Sequence, residues 1–315
     1  MRIIFGELSF DLFIRRRAAR TGRLSTRLLC ALGLALVASA PCVAADPVWP
    51  AITEPATSNY VPGKWVWAEL FTENAGTAVE FYGKAFGWTF QKLSAGPGPG
   101  YAVASSDGEP VGGILEREGK YAKQRGSRWV GMISVTDVKA SARYAQEHGG
   151  KVIVAPRLLP GRGEVALIAD PEGAPFGVMR SSSGDPPDYL AEDRQWVWVE
   201  LWAKDPKAMA QFYSGVAGYE IETEARPDGQ TGYMLDSGGY VRCGIISSPD
   251  RSLPSAWLPY LRVDDVKTAT TNAVQAGARV VMAPSAQIRE GRVALIMDPT
   301  GAPLGLAQLP SEDKP

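Results

Sequence analysis

Histidine and cysteine are almost missing from this chain. Its 315 residues include one histidine, His148, and three cysteines, Cys30, Cys42 and Cys243. Two of the cysteines lie before residue 46. Only Cys243 remains beyond that point, so the body of the chain contains no intrachain disulfide. Cys243 sits in Val241-Arg242-Cys243-Gly244-Ile245, a pattern that predicts a buried strand residue. No basic run occurs after residue 45, which argues against a nucleic-acid partner. No apolar run reaches the roughly 20 residues that a bilayer-spanning helix needs. The longest, Leu28 to Ala40, follows a segment with seven arginines and only two acids, Glu7 and Asp11. Small residues Val43-Ala44-Ala45 come next. This order of charged, apolar and small residues is that of a secretory signal peptide, with cleavage expected after Ala45. Its removal lowers the basic count from 33 to 26 and the acidic count from 34 to 32, a net charge of −6. The sequence therefore predicts an exported protein, periplasmic or secreted, with no membrane attachment after cleavage. A small-molecule partner and a monomeric or homodimeric state are expected.

Repetition is abundant. Trp65-Val66-Trp67-Ala68-Glu69-Leu70 returns as Trp196-Val197-Trp198-Val199-Glu200-Leu201. Phe81-Tyr82 returns as Phe212-Tyr213, Gly87 as Gly218 and Trp129 as Trp257. Asp170-Pro171-Glu172-Gly173 returns as Asp298-Pro299-Thr300-Gly301. The offset drifts from 131 to 128, so the second copy is shorter by a net three residues. Residues 46–64 read as a Pro-, Ala- and Thr-rich linker and 181–195 as a second linker. The repeats are placed at 65–180 and 196–309, with a short tail at 310–315.

Each repeat opens with an alternating strand. A helix follows, capped by Asn74 in the first copy and by Asp205 with Pro206 in the second. Gly87 and Gly218 stand where a left-handed residue ends a helix. Three strand-like runs come next, near 89–93, 101–105 and 111–116. The same order then restarts at 129–135, with Asp137 capping a helix to about His148. The chain thus reads as four strand-helix-strand-strand-strand modules, an α+β fold with mixed sheets.

This module order, with Phe-Tyr late in the first helix, Phe86-Gly87-Trp88 after it and Asp-Pro-x-Gly before the last strand, resembles the vicinal oxygen chelate superfamily. That group includes glyoxalase I, extradiol dioxygenases and bleomycin-binding proteins. The resemblance implies four βαβββ modules paired into two cup-shaped domains. In metal-dependent members it implies a histidine or glutamine on each first strand and a glutamate on the last. Counted from Tyr82, Tyr213, Asp137, Asp265, Asp170 and Asp298, those six positions fall on Trp67, Trp198, Val130, Leu258, Gly177 and Gly305. None of these side chains binds a hard or borderline cation. The expectation is a protein with no metal and no cofactor.

Strand alternation places Trp65, Trp67 and Glu69 on one face, and likewise Trp196, Trp198 and Glu200. Tyr260 and Arg262 of the second copy are expected to join that face, with Arg262 paired to Glu200. Tryptophan faces attract cations by roughly 0.5–2 kcal/mol. A carboxylate in an apolar cup has a raised pKa and suits general-base chemistry. Three readings follow. The first is a metal-free protein that binds a small aromatic or cationic molecule in one or both cups. The second is an enzyme of the same fold, either lyase- or dioxygenase-like or a metal-independent acid–base catalyst using Glu69 or Glu200. The third is a structural or partner-binding protein with filled cups. Gly161-Arg162-Gly163 and Glu290-Gly291-Arg292 are read as solvated turns, with rim residues touching an anionic ligand as the alternative.

Overall fold

A computed structural model describes residues 48–93, 100–117, 126–188, 191–226 and 229–310. The leader expected at 1–45 and residues 311–315 of the expected tail lie outside them. The first repeat contains β1 (Trp65–Thr72), α1 (Ala75–Phe86), β2 (Thr89–Leu93), β3 (Tyr101–Ser106), β4 (Glu109–Glu116), β5 (Arg128–Ser134), α2 (Val138–Glu147), β6 (Lys151–Leu159), β7 (Gly163–Ala169) and β8 (Pro175–Ser181). The second contains β9 (Trp196–Ala203), α3 (Pro206–Ala217), β10 (Glu220–Ala225), β11 (Thr231–Ser237), β12 (Tyr240–Ser247), β13 (Ala256–Arg262), α4 (Val266–Gln275), β14 (Arg279–Met282), β15 (Val293–Met297) and β16 (Pro303–Ala307).

The helix ends follow local chemistry. Asn74, Asp137, Asp205 and Asp265 each accept a hydrogen bond from a first-turn backbone N–H, which satisfies one of the otherwise unpaired donors there. Gly87 and Gly218 adopt φ of 68° and 76°, the left-handed conformation that costs glycine little. Among the described residues no helix is long and apolar enough to cross a membrane.

Each repeat forms one eight-stranded mixed sheet, in the orders β2-β3-β4-β1-β5-β8-β7-β6 and β10-β11-β12-β9-β13-β16-β15-β14. Within each module the first and last strands run parallel, as in β1–β4 and β5–β8. The two modules of a repeat join through the antiparallel pairs β1–β5 and β9–β13. The helices lie between the two sheets, with α1 against α4 and α2 against α3. One core cluster mixes Ile133, Val138 and Phe176 with Leu201, Met209 and Phe212. The other mixes Leu70, Phe81 and Trp88 with Leu261, Val266 and Leu304. This arrangement leaves each sheet's concave face, its cup, on the side away from the shared core.

Several repeated motifs belong to this core. Trp129 Nε1 donates to the Tyr82 hydroxyl at 2.7 Å, which donates to Asp298 Oδ2 at 2.9 Å. The mirror relay runs from Trp257 to Tyr213 at 2.7 Å and on to Asp170 Oδ2 at 3.0 Å. Each tyrosine thus reaches the Asp-Pro-x-Gly turn of the other repeat. The other oxygen of Asp170 holds the turn through the backbone N–H groups of Glu172 and Ala174. Burial pushes the Asp170 carboxyl up to about 7.

Candidate functional site

Trp65 and Trp196 correct an expectation from strand alternation. They do not face the cups. The β1–β5 register shifts between Trp65 and Trp67, and the β9–β13 register shifts between Tyr260 and Leu261, opposite Trp198 and Trp196. An irregularity of this kind breaks the two-residue period, so each outer tryptophan turns to the inter-sheet layer. Trp65 packs on Trp257 with ring centroids 4.7 Å apart. Trp196 packs on Trp129 at 5.0 Å and Trp88 at 5.6 Å, and donates to the Val111 carbonyl at 2.7 Å. Each crosses to the opposite repeat.

Trp67 and Glu69 do line the first cup. Trp67 Nε1 donates to Glu69 Oε1 at 2.9 Å, and the Tyr101 hydroxyl donates to the same oxygen at 3.0 Å. Arg162 completes the group. Its side chain is 1% exposed, and Nη1 lies 3.6 Å from Glu69 Oε1. The guanidinium sits 4.4 Å from the centroid of the Trp67 ring, and Nη2 donates to the Tyr101 hydroxyl at 3.2 Å. The turn expected to be solvated therefore delivers a buried cation. Gly161 and Gly163, with φ of 84° and 118°, give the turn its shape.

Burial pushes the Glu69 carboxyl up to about 7, against the lowering effects of the Arg162 charge and the Tyr101 and Trp67 hydrogen bonds. Among the described residues its Oε2 has no hydrogen-bond partner. A group with a raised folded-state value adds stability that is complete below its ordinary value, 4.5 here, and is lost as pH rises through about 7. Glu69→Gln removes that titration. Denaturant titrations from pH 5 to 8 will show the variant gaining on the wild-type chain by an amount on the order of 3 kcal/mol. A stability difference that stays constant across this range would show that Glu69 titrates normally.

The second cup repeats the carboxylate and changes its partners. Glu200 Oε1 accepts from Trp202 Nε1 at 3.0 Å and from the Tyr260 hydroxyl at 3.3 Å. Arg289 Nη2 donates to Glu200 Oε2 at 2.6 Å, and the Arg289 side chain is 43% exposed. Arg262 does not make this pair. It donates to the Ala191 carbonyl instead. Arg289 comes from the loop before β15, as Arg162 comes from the turn before β7. Each cup therefore holds a first-strand glutamate and a loop arginine. Trp202 stands where the first repeat has Phe71. By taking Glu200, it leaves the half-buried Trp198 with an Nε1 that has no partner among the described residues.

The segment expected to be a linker at 46–64 enters the first cup. Trp49 packs edge-on against Tyr101 at 4.8 Å, and Ile52 is buried among Val66, Trp67 and Met132. Arg162 Nε donates to the Pro50 carbonyl at 2.6 Å. No described residue covers the second cup in this way. Its cluster is Leu258, Tyr260 and Leu295, bordered by partly exposed Trp198, Trp202 and Met282. A separate surface groove of about 680 Å³ lies between α2 and α3, lined by residues including Asp137, Tyr144 and Ser237, and it touches neither glutamate.

Residues 64–178 match the Glyoxalase/Bleomycin resistance protein/Dioxygenase superfamily, and residues 196–307 match the Glyoxalase-like domain. The chain belongs to this superfamily. Among glyoxalase-superfamily relatives, CFP32 of Mycobacterium tuberculosis, whose name assigns it provisionally to the glyoxylases, is 28% identical over 249 residues, 79% of this chain and 95% of that protein. Anthracycline biosynthesis protein DnrV of Streptomyces peucetius is 26% identical over 268 residues, 80% of this chain and 95% of that protein. The fold also matches 2,2',3-trihydroxybiphenyl 1,2-dioxygenase from Sphingomonas wittichii (TM-score 0.52, 16% identity, 79% of this chain and 91% of that one). A variant of homoprotocatechuate 2,3-dioxygenase from B. fuscum is similar (TM-score 0.53, 13% identity, 84% of this chain and 77% of that one).

The superfamily's divalent metal does not fit these cups. The expected ligand positions hold Trp67, Trp198, Val130, Leu258, Gly177 and Gly305. A Cβ at Gly177 would overlap the Met132 sulfur, and one at Gly305 would overlap the Tyr260 ring. Neighbouring side chains thus fill the space a carboxylate ligand would need. Among the described residues no three His, Cys, Asp or Glu side chains cluster as a metal site. His148 caps α2 at the surface, stacked on Tyr144 at 3.8 Å. Cys243 is buried on β12, and burial pushes its thiol up to about 12, which suppresses the nucleophilic thiolate.

Proposed function

We propose that this protein binds a planar aromatic molecule bearing oxygen acceptors in its second cup, without a metal. The observation that carries this reading is the part-exposed guanidinium there. Arg289 keeps 43% of its side chain exposed while paired to Glu200, and the partly exposed ring of Trp198 packs against the cup's apolar cluster. A guanidinium donates several hydrogen bonds, so it suits carbonyl, hydroxyl or carboxylate oxygens. The rings of Trp198, Trp202 and Tyr260 supply flat apolar contact. Because Arg289 balances the Glu200 charge, the cup favours neutral or anionic ligands over the cationic ones that a lone carboxylate suggests. A relative named for anthracycline biosynthesis supports a polycyclic aromatic as the ligand class. With residues 1–45 as a signal peptide, such binding would take place in the periplasm or outside the cell.

Titrating the full-length protein with 1,4-dihydroxyanthraquinone should quench tryptophan fluorescence saturably, at one equivalent per chain. Arg289→Ala removes a charged donor, so affinity should fall about 10- to 100-fold, and Trp198→Ala should weaken binding through the lost ring face. No quenching by this probe or by other hydroxylated aromatics would refute the reading.

A further inference from the structure

The first cup has the same glutamate–arginine floor, and the chain's own residues lie on it. Among the described residues of the segment before β1, Trp49 to Ile52 lie in this cup. From Thr53 onward the segment is tied elsewhere, with Thr53 and Thr57 bonded to Ser183. Within the cup its polar ties are few: Trp49 N–H to the Pro160 carbonyl at 2.8 Å and the Pro50 carbonyl to Arg162. Val48 and Ala51 face solvent, and Trp49 is partly exposed. The contacts are those a bound molecule would make: an aromatic ring against Tyr101, and a carbonyl oxygen on a buried guanidinium. Beneath them Glu69 Oε2, on a side chain 9% exposed, has no partner among the described residues. Leaving a buried acceptor unpaired costs about 1–3 kcal/mol, and a ligand hydroxyl would satisfy it.

We propose that Trp49–Ile52 is an internal ligand of the first cup, and that this cup is a second binding site, for a planar aromatic carrying both a carbonyl and a hydroxyl group. The carbonyl would replace that of Pro50 on Arg162, and the hydroxyl would donate to Glu69. The ligand class rests on the function proposed for the second cup. Occupancy by the segment makes the two cups unequal: one open, the other closed by its own chain.

The test is stoichiometry with 1,4-dihydroxyanthraquinone on full-length protein, by calorimetry. Wild-type protein should bind one equivalent and Trp49→Ala two. Trp49→Ala/Arg289→Ala should keep only the new equivalent, which assigns it to the first cup. If Trp49→Ala does not fold by circular dichroism, Trp49→Leu is read the same way, since it keeps an apolar cap but loses the ring. A folded Trp49 variant that gains no equivalent overturns the proposal, and so does a wild-type chain that already binds two. A wild-type chain that binds none while Trp49→Ala binds one would overturn the second-cup reading and uphold this one.

Discussion

Arg162→Ala will lower stability at pH 8 by about 3–5 kcal/mol, the usual result of removing one member of a buried ion pair. The loss has four parts. Glu69 loses its counter-charge, the Trp67 ring loses the cation 4.4 Å from its centroid, and the Tyr101 hydroxyl and the Pro50 carbonyl each lose a donor. The first part depends on pH. At pH 5 Glu69, with its carboxyl pushed up to about 7, carries a proton and no longer needs a counter-charge. The cost there should be clearly smaller. Urea titrations of both proteins at the two pH values measure it. Equal costs at both pH values would mean that Arg162 acts through packing alone.

Trp196→Ala will cost about 3 kcal/mol, the low end for a large aromatic, because the ring is not fully buried. Its effect reaches the other repeat, since it leaves the Val111 carbonyl without its indole donor and removes a ring from Trp88 and Trp129. Trp198→Ala, two residues away, should cost roughly half of that or less, because the residue lines a partly open cup and gives up no hydrogen bond. Binding of 1,4-dihydroxyanthraquinone should respond in the opposite order, falling in Trp198→Ala and holding in Trp196→Ala. Thermal melts and titrations on the two variants separate a structural tryptophan from a ligand-facing one. Equal stability losses would contradict the assignment of Trp196 to the inter-repeat layer.

The sequence repeat made the fold legible, because its cues act locally. Asp137 and Asp205 cap helices wherever the chain goes afterwards, Gly87 and Gly218 stop them, and the Phe-Tyr and Asp-Pro-x-Gly motifs recur at a steady offset. The positions of Trp67, Glu69, Trp198, Glu200 and Tyr260 on the cup faces were also readable, because they follow the two-residue strand period. Trp65 and Trp196 were misplaced because register shifts between paired strands have no mark in one strand's sequence. Arg162 sits between two glycines, a pattern that reads as a solvated turn; only folding puts it beneath Pro50. Arg289 was missed because its loop lies 89 residues from Glu200. Strand phase alone points to Arg262 instead. The entry of Trp49 into the first cup was hidden by a composition rich in Pro, Ala and Thr, which predicts a linker and says nothing about what the linker touches.

An oxygen-bearing aromatic should bind in the second cup without the superfamily's metal. Calorimetric titration with 1,4-dihydroxyanthraquinone, on protein stripped with chelator and assayed for metal content, measures this. Stripped protein should bind one equivalent, with an affinity unchanged by added manganese, iron, nickel or zinc and lowered by Arg289→Ala. Binding that appears only when one metal ion per cup is restored would contradict it.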